Sequence, residues 1–421
     1  MNGRIEDGGV GAGSADARTG SMSGPAPEVV RARAAWSRLA EPGDTAAGAL
    51  VACLGPVDAL TWVRASAPAI QCGEVVGAAG LPPSAAAQLS AAARRWLPRL
   101  DALDPVRDLG VLQRLGGSVV VPEGPGWPTG LADLGAAAPL CLWVRGAARL
   151  DLLLDRSVAI IGARACTSYG EHVTAELAGG VAAAGWTVVS GGAYGVDAVA
   201  HRAALASEGA TVAFLAGGID RPYPAGNARL LRALADVGGA VVSEVPPGSV
   251  PSKVRFLQRN RLIAAVSRAT VVVEAAWRSG ALNTASHAAG LLRPVGAVPG
   301  PVTSAASAGC HRLLRSGAAV CVTDASEVLD LVGSIGADLA VEPRGPQRPG
   351  DGLSLELRRA LDALPARRPA GLDSLARAAG LTESEVRSAV GRLELAGLAA
   401  RVGTGWCRTN VPNHSDGTGQ V

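Results

Sequence analysis

Five short runs of β-branched and apolar residues alternate with alanine-rich stretches of helical spacing in the middle of the chain. The runs are SVAIIG (157–162), WTVVSG (186–191), TVAFLAGG (211–218), AVVSEV (240–245) and ATVVVEAA (269–276). This alternation specifies βαβ units, and strands so uniformly apolar are typical of a parallel sheet that is buried on both faces. The pattern therefore predicts an α/β fold, with a doubly wound parallel sheet over residues 116–332.

The segments that flank this region have helical patterns of their own. Residues 28–115 are rich in Ala, Leu and Arg at helical spacing and are broken by Pro-Gly turns, which predicts a small helical domain (SAM/HhH-like). Residues 354–410 predict three helices and a glycine-centred hairpin, the outline of a winged helix. Within that segment, Thr382 and Glu385 have the spacing of a capping box at the start of the third helix.

The remaining segments lack the periodicity of helices or strands. Residues 333–353 are rich in Pro and Gly towards their end, which predicts a linker before the winged helix. Residues 1–27 and 411–421 are polar and contain few large apolar residues, which predicts disordered tails.

The composition excludes several kinds of site. The seven cysteines form no CxxC pair and are odd in number, so neither a zinc site nor a disulfide framework is expected, and a reducing cytoplasm fits best. Neither an apolar h-region at the start nor a run of about 18 apolar residues occurs, so no signal peptide and no membrane span are predicted. The chain has no GxGxxG motif, and its single lysine, Lys253, follows Ser252 rather than Gly, which excludes a Walker A loop. We therefore predict no metal and no cofactor.

Small residues follow several of the predicted strands, at the place where open parallel sheets bind ligands. Glycine and serine at such turns let backbone N–H groups and helix N-termini approach an anion closely. Together with one arginine, these turns predict an anion-binding rim. Its residues are Gly162, Arg164, Ser190, Gly191, Ser279 and Gly280.

A basic segment lies between the fourth and fifth predicted strands. It holds five cations and no carboxylate, and Phe256 lies among the cations. The cations are Lys253, Arg255, Arg259, Arg261 and Arg268. Single-stranded nucleic acid is held by cations that follow the phosphates and by rings that stack on base faces. We therefore expect a ligand with a phosphate backbone.

The motifs of this region also resemble a known family. The motifs are VAIIGAR, SGGAYGVD followed by Ala-His, GGIDRPYP, SEVPPG, RNRLIAAVS, VVVEA with SGALNTA, and AVPGPVTS, in that order over about 157–320. In this order they resemble the DNA-processing protein A (DprA/Smf) family. The resemblance implies an extended Rossmann-like domain that binds single-stranded DNA, forms a homodimer, loads the RecA recombinase during natural transformation or general recombination, and performs no enzymatic turnover.

The resemblance also implies which residues line the DNA pocket. Arg164 lies in the GSR-like turn, and Arg259, Asn260 and Arg261 form the RNR motif. To these, the basic segment adds Lys253, Arg255 and Phe256 as candidate DNA-binding residues.

Two other functions remain open from the sequence. One is a nucleotide-processing enzyme similar to phosphoribohydrolases, with Glu274 near the Ser279-Gly280 turn as its acid. The other is a winged-helix regulator whose Rossmann-like domain senses a ligand. We assign no catalytic residues, because His201, four residues after Asp197, fits a structural pair better than an active site.

Overall fold

The structure is a computed structural model that describes residues 24–65, 84–333 and 352–409. Most of the predicted tails and of the predicted linker lie outside the described residues. The chain divides into two compact units, Met1–Ala340 and Val341–Val421. Each unit is described by itself below.

The first unit is built on one mixed sheet, which has nine strands among the described residues. They are β1 (Gly117–Val120), β2 (Leu142–Gly146), β3 (Ser157–Ile161), β4 (Thr187–Ser190), β5 (Thr211–Leu215), β6 (Ala240–Ser243), β7 (Ala269–Val272), β8 (Val295–Ala297) and β9 (Val320–Cys321). Their order is β1-β2-β6-β5-β4-β3-β7-β8-β9. The strands β3 to β9 pair in parallel, as predicted for the five apolar runs that form β3 to β7. The parallel strands β8 and β9 and the antiparallel edge of β1 and β2 were not predicted from the sequence.

The two faces of the parallel strands are buried in separate hydrophobic clusters. Ile161 packs in a cluster with Leu262, and its neighbour Ile160 packs in another cluster with Leu177. Because successive side chains of a strand point to opposite faces, both faces need apolar residues. This burial explains the uninterrupted apolar runs of the sequence and confirms the predicted α/β class.

Helices cover both faces of the sheet and one of its edges. Those of the first unit are α1 (Pro27–Leu39), α2 (Thr45–Leu54), α3 (Pro56–Arg64), α4 (Ser84–Trp96), α5 (Pro105–Arg114), α6 (Leu150–Asp155), α7 (Ser168–Ala183), α8 (Val196–Ala206), α9 (Ala228–Asp236), α10 (Lys253–Val266), α11 (Gly280–Gly290), α12 (Ala308–Arg315) and α13 (Ala325–Asp330). In the described part of the chain no single helix has the length and apolar character to cross a membrane, although α2 and α3, bent by 112°, meet that test as a pair.

The N-terminal helices share part of their packing with the sheet. Ala34 of α1 lies in one buried cluster with Trp143 of β2. The indole Nε1 of Trp143 donates a hydrogen bond to Ser37 Oγ at 3.1 Å, and Arg38 Nη2 donates to the carbonyl of Pro247 at 2.8 Å. These contacts place α1 against the α/β part, and the division into separate domains at residue 115 stays a prediction.

The second unit has the predicted winged-helix arrangement. It contains α14 (Leu355–Ala363), α15 (Leu372–Ala379), α16 (Glu383–Leu395) and a hairpin of β10 (Ala399–Val402) and β11 (Gly405–Arg408). Between the two strands, Gly403 has a φ of 62°, a left-handed conformation that favours glycine. The predicted capping box is confirmed: Thr382 Oγ1 accepts from the backbone N–H of Glu385 at 3.3 Å, and Glu385 Oε2 accepts from the N–H of Thr382 at 2.7 Å.

The capping box predicts the effect of removing its hydroxyl. Thr382→Ala should destabilise α16 by about 1 kcal/mol, which corresponds to about fivefold faster amide exchange over residues 383–395 of the full chain. Thr382→Ser keeps the accepting oxygen and should leave the exchange unchanged. Equal exchange rates in wild type and Thr382→Ala would show that the cap contributes nothing.

Candidate nucleic-acid interface

The order of the strands reverses between β3 and β7. From β3 the chain adds β4, β5 and β6 on one side, and from β7 it adds β8 and β9 on the other. The connections diverge at this point, so a crevice forms at the carboxyl ends of the strands, where open α/β sheets bind ligands. A cleft of about 920 Å³ lies there.

Most of the predicted site residues line this cleft. They are Gly162, Arg164, Lys253, Phe256, Arg259, Asn260, Ser279 and Gly280. Four other predicted residues lie outside its lining. These are Ser190, Gly191, Arg255 and Arg261.

The loop after β3 holds Arg164 against an aromatic pair. The backbone N–H of Val196 donates to the carbonyl of Ala163 at 3.2 Å, and Gly195 has a φ of 74° and no room for a Cβ beside this loop. Arg164 Cζ lies 4.6 Å from the centroid of the Phe256 ring. Tyr223, which follows β5, packs its ring edgewise on Phe256 with centroids 5.9 Å apart. The loop after β3, helix α10 and the segment after β5 thus bring a guanidinium and two rings together on one wall of the cleft.

Arg259 anchors helix α10 to the ends of β4 and β5. Its side chain is 7% exposed, and Nη1 donates to the carbonyls of Gly191 at 2.7 Å and Phe214 at 2.5 Å. Burial lowers the pKa of Arg259 to about 10, against the opposing effect of the Asp197 carboxylate. The guanidinium therefore stays charged at neutral pH and fixes the helix that carries Phe256.

Two more of the predicted residues hold the scaffold together instead of lining the cleft. Arg261 forms a buried ion pair with Glu244, with N–O distances of 2.7 and 2.8 Å, and donates to the carbonyl of Ala137 at 2.8 Å. Arg255 pairs with Glu41 at 3.0 Å and so ties α10 to the N-terminal helical part. These pairs support a role of Arg255 and Arg261 in positioning α10, and their predicted contact with DNA stays a prediction.

The serine and glycine at the end of β4 also have structural contacts. Ser190 Oγ is buried and donates to the carbonyl of Ile160 at 2.7 Å. Gly191 leaves the space that the Arg259 guanidinium fills, since a Cβ there would overlap it. Both residues act on the cleft through their neighbours.

Three cations of the cleft make no ion pair within the described part of the chain. They are Arg164, Lys253 and Arg278, and they come from three different connections of the sheet. Arg268, the last cation of the basic segment, instead pairs with Asp155 at 2.9 Å beside the start of β7. The positive charge of the cleft therefore comes from several separate segments of the chain rather than from one helix.

Tyr223 and Arg278 line the cleft but were not among the site residues predicted from the sequence. Tyr223 lies in the quoted GGIDRPYP motif, and Arg278 directly precedes the predicted Ser279 turn. An aromatic residue and an arginine at a strand end were signals that could have identified both.

Two helices begin at the cleft. Ser252 Oγ accepts from the N–H of Arg255 at 3.2 Å at the start of α10, and Ser279 Oγ accepts from the N–H of Ala281 at 3.3 Å at the start of α11. The partial positive charge of a helix N-terminus favours bound anions. The backbone therefore adds to the positive field of the three unpaired side chains.

The acidic and histidine candidates have structural partners. Glu274 is buried, and its carboxylate accepts from Thr167 N–H at 2.9 Å and from Thr167 Oγ1 at 2.6 Å. His201 Nδ1 lies 2.7 Å from Thr211 Oγ1, whose own hydrogen goes to the carbonyl of Val188. Burial lowers the pKa of His201 to about 3, so the ring stays neutral. In the described residues no cluster of three or more His, Cys, Asp or Glu could hold a metal ion.

Comparison with known proteins supplies the family. The model of "DNA recombination-mediator protein A" matches residues 118–333, half of the chain, and a model of the DprA winged helix domain matches residues 344–405. The chain belongs to the DNA recombination-mediator protein A family. This result confirms the resemblance that the motifs indicated.

Similar proteins match between 46% and 88% of the chain. A putative DNA processing protein DprA of Mycobacterium tuberculosis (strain ATCC 25618 / H37Rv) is 48% identical over 379 residues, 88% of this chain and 92% of that protein. The DNA processing protein DprA of Streptococcus pneumoniae is 40% identical over 192 residues, 46% of this chain and 66% of that protein. The X-ray structure of DprA from Streptococcus pneumoniae matches 73% of this chain and 99% of its own, with 28% identity and a TM-score of 0.55.

Two glycines of the predicted site should respond differently to substitution by alanine. Gly191→Ala should destabilise the protein by about 1–3 kcal/mol, because the new methyl overlaps the Arg259 guanidinium. Gly280→Ala, where nothing lies within 4 Å of the new Cβ, should change the free energy of unfolding by less than about 0.5 kcal/mol. Urea unfolding of both variants measures the difference, and equal midpoints would contradict the role given to Gly191.

Proposed function

We propose that the cleft binds single-stranded DNA and that the chain acts as a recombination mediator without catalytic turnover. The observation that carries this proposal is the pairing of Phe256 and Tyr223 with three cations that have no acidic partner in the described structure. Cations that track phosphates beside rings that stack on bases are the means by which proteins hold single strands. The family description, a recombination mediator for DNA, supports the same function.

The geometry favours a single strand over a duplex or a mononucleotide. In a duplex the base faces are covered by stacking, so the rings of Phe256 and Tyr223 would find no free face. A mononucleotide offers one phosphate group, whereas Arg164, Lys253 and Arg278 reach the cleft from the loop after β3, the start of α10 and the loop after β7. A strand with several phosphates and unstacked bases matches both features.

The alternative of a phosphoribohydrolase-like enzyme has little support in the cleft. Glu274, its proposed acid, is held by Thr167 and does not belong to the lining. Asp197 is the one carboxylate among the lining residues, and it is buried beside Arg259, with an N–H of Ala193 at 3.2 Å. Burial raises the pKa of Asp197, but its hydrogen bond to the loop after β4 fits a structural role.

Further parts of the proposal follow from the family. We propose that the bound strand is passed to the RecA recombinase, in natural transformation or in general recombination, that the chain works as a homodimer, and that it acts in the cytoplasm. The description of the family as a recombination mediator supports the first of these. Purified protein should then accelerate the assembly of RecA on DNA coated by a single-strand-binding protein.

Binding should prefer single strands and depend strongly on salt. If Arg164, Lys253 and Arg278 each neutralise one phosphate, a fourfold rise in salt concentration should lower the affinity about 20-fold, at a slope of about −0.7 per contact. Fluorescence polarisation of a labelled oligothymidylate, competed by a matching duplex and by thymidine monophosphate, measures both properties. Displacement by the mononucleotide at comparable concentration would favour the enzymatic alternative.

Lys253 and Arg255 form a matched pair of substitutions two residues apart on α10. Lys253→Ala should remove one phosphate contact, so that the same fourfold rise in salt lowers the affinity only about sevenfold. Arg255→Ala removes an equal charge whose partner is Glu41, so the salt dependence should stay that of the wild type. Salt titrations of both variants provide the measurement, and an equal loss of slope in the two would contradict the assignment of Lys253.

A further inference from the structure

A further aromatic residue, Trp277, lies at the same edge of the sheet but outside the lining of the cleft. Trp277 follows β7 and its side chain is 55% exposed. The guanidinium of Arg312, from α12, lies over its ring, with Cζ 5.6 Å from the centroid. The next residue after Trp277, Arg278, lines the cleft. An exposed indole with a cation on one face thus directly adjoins the proposed DNA site.

The packing of Trp277 differs from that of a core tryptophan in a similar contact. Arg156 lies 4.9 Å from the Trp186 ring, but Trp186 is 4% exposed and belongs to a buried hydrophobic cluster. Trp277 belongs to none of the hydrophobic clusters formed by the described residues. Packing of the core therefore does not account for a tryptophan at this position.

The charges around Trp277 indicate an anionic ligand. The guanidinium groups of Arg278 and Arg312 make no ion pair and no hydrogen bond with another described residue. Several other arginines of the same unit are neutralised by a carboxylate, as Arg255 is by Glu41. The contact of the unneutralised Arg312 guanidinium with the Trp277 ring resembles the contact of Arg164 with the Phe256 ring.

We propose that Trp277 and Arg312 form a second base-stacking site, which binds a nucleotide of the same DNA strand after it leaves the cleft past Arg278. This inference rests on the proposed function, since its ligand is the strand held at Phe256. Indole stacks on the face of any base, and Arg312 supplies a cation for the adjoining phosphate. The site therefore extends the contact without adding base specificity.

The positions of the strands give the direction and length of this path. Tyr223 follows β5, Phe256 lines the cleft, and Arg312 belongs to the helix after β8. The strands β5, β4, β3, β7 and β8 lie side by side, so these positions span four strand spacings, or about 19 Å. A strand must extend beyond the nucleotides in the cleft to reach Trp277, and oligonucleotide length is therefore the variable that separates the two sites.

The test compares the affinities of variants for oligothymidylates of about 3 to 15 nucleotides. Trp277→Ala should lower the affinity about 5- to 100-fold for the long oligonucleotides and leave that for the shortest ones unchanged. Trp277→Phe keeps a stacking ring and should restore most of the loss. Arg312→Ala should weaken binding of the long oligonucleotides, whereas Arg315→Ala, which removes the same charge from an exposed position of the same helix, should have a smaller effect.

Other outcomes would overturn the inference in distinguishable ways. Unchanged affinity of Trp277→Ala at every length, with Phe256→Ala weakened at every length, would remove the second site and keep the proposed function. An equal loss at all lengths, or a change of the sedimentation coefficient without loss of DNA binding, would assign Trp277 to the cleft itself or to contacts between protein copies. If the wild type binds no oligonucleotide of any length, the proposed function fails and the second site fails with it.

Discussion

The buried guanidinium of Arg259 joins three elements whose relative positions define the cleft. Its hydrogen bonds reach the carbonyl that follows β4 and a carbonyl of β5, and its backbone belongs to α10. A buried charge is tolerated only where hydrogen bonds and an opposite charge compensate its desolvation, and here the carbonyls and Asp197 do so. Because Phe256 lies one helical turn before Arg259, this anchor also sets the position of the aromatic wall. The glycine at 191 is required for the same reason, since any side chain there would displace the anchor.

The arginines of the α/β part fall into two groups with different physical roles. Arg255, Arg261 and Arg268 are neutralised by Glu41, Glu244 and Asp155, and these pairs connect parts of the chain that lie 214, 17 and 113 residues apart. The cations at the cleft and beside Trp277 have no such partners among the described residues. The charge of an unpaired cation remains available to attract an anionic ligand, whereas a paired cation contributes mainly to the position of its helix or loop.

Much of the fold could be predicted from the sequence, because burial on both faces leaves an uninterrupted apolar pattern in β3 to β7. The edge strands β1 and β9 could not be predicted in this way, since they are partly exposed and only two to four residues long. The anion-binding rim was predicted from its glycines and serines, but the contact partner of each arginine could not be predicted. Whether Arg255 faces DNA or Glu41 depends on a residue 214 positions away, and local spacing contains no information about such a contact.

The amide side chain of Asn260, which lines the cleft, has its donors and its oxygen engaged by neighbouring residues. Asn260 donates to the carbonyl of Gly280 at 3.3 Å and to Asn283 Oδ1 at 3.2 Å, and its own Oδ1 accepts from Arg259. Ser252 and Ser279 cap the two helices that begin at the cleft. Discrimination between bases requires free donors and acceptors that match a base edge, whereas charges and ring faces bind every nucleotide alike. A protein that mediates recombination must accept strands of any sequence, and a cleft that combines ring faces and cations with an amide committed to its own scaffold meets that requirement.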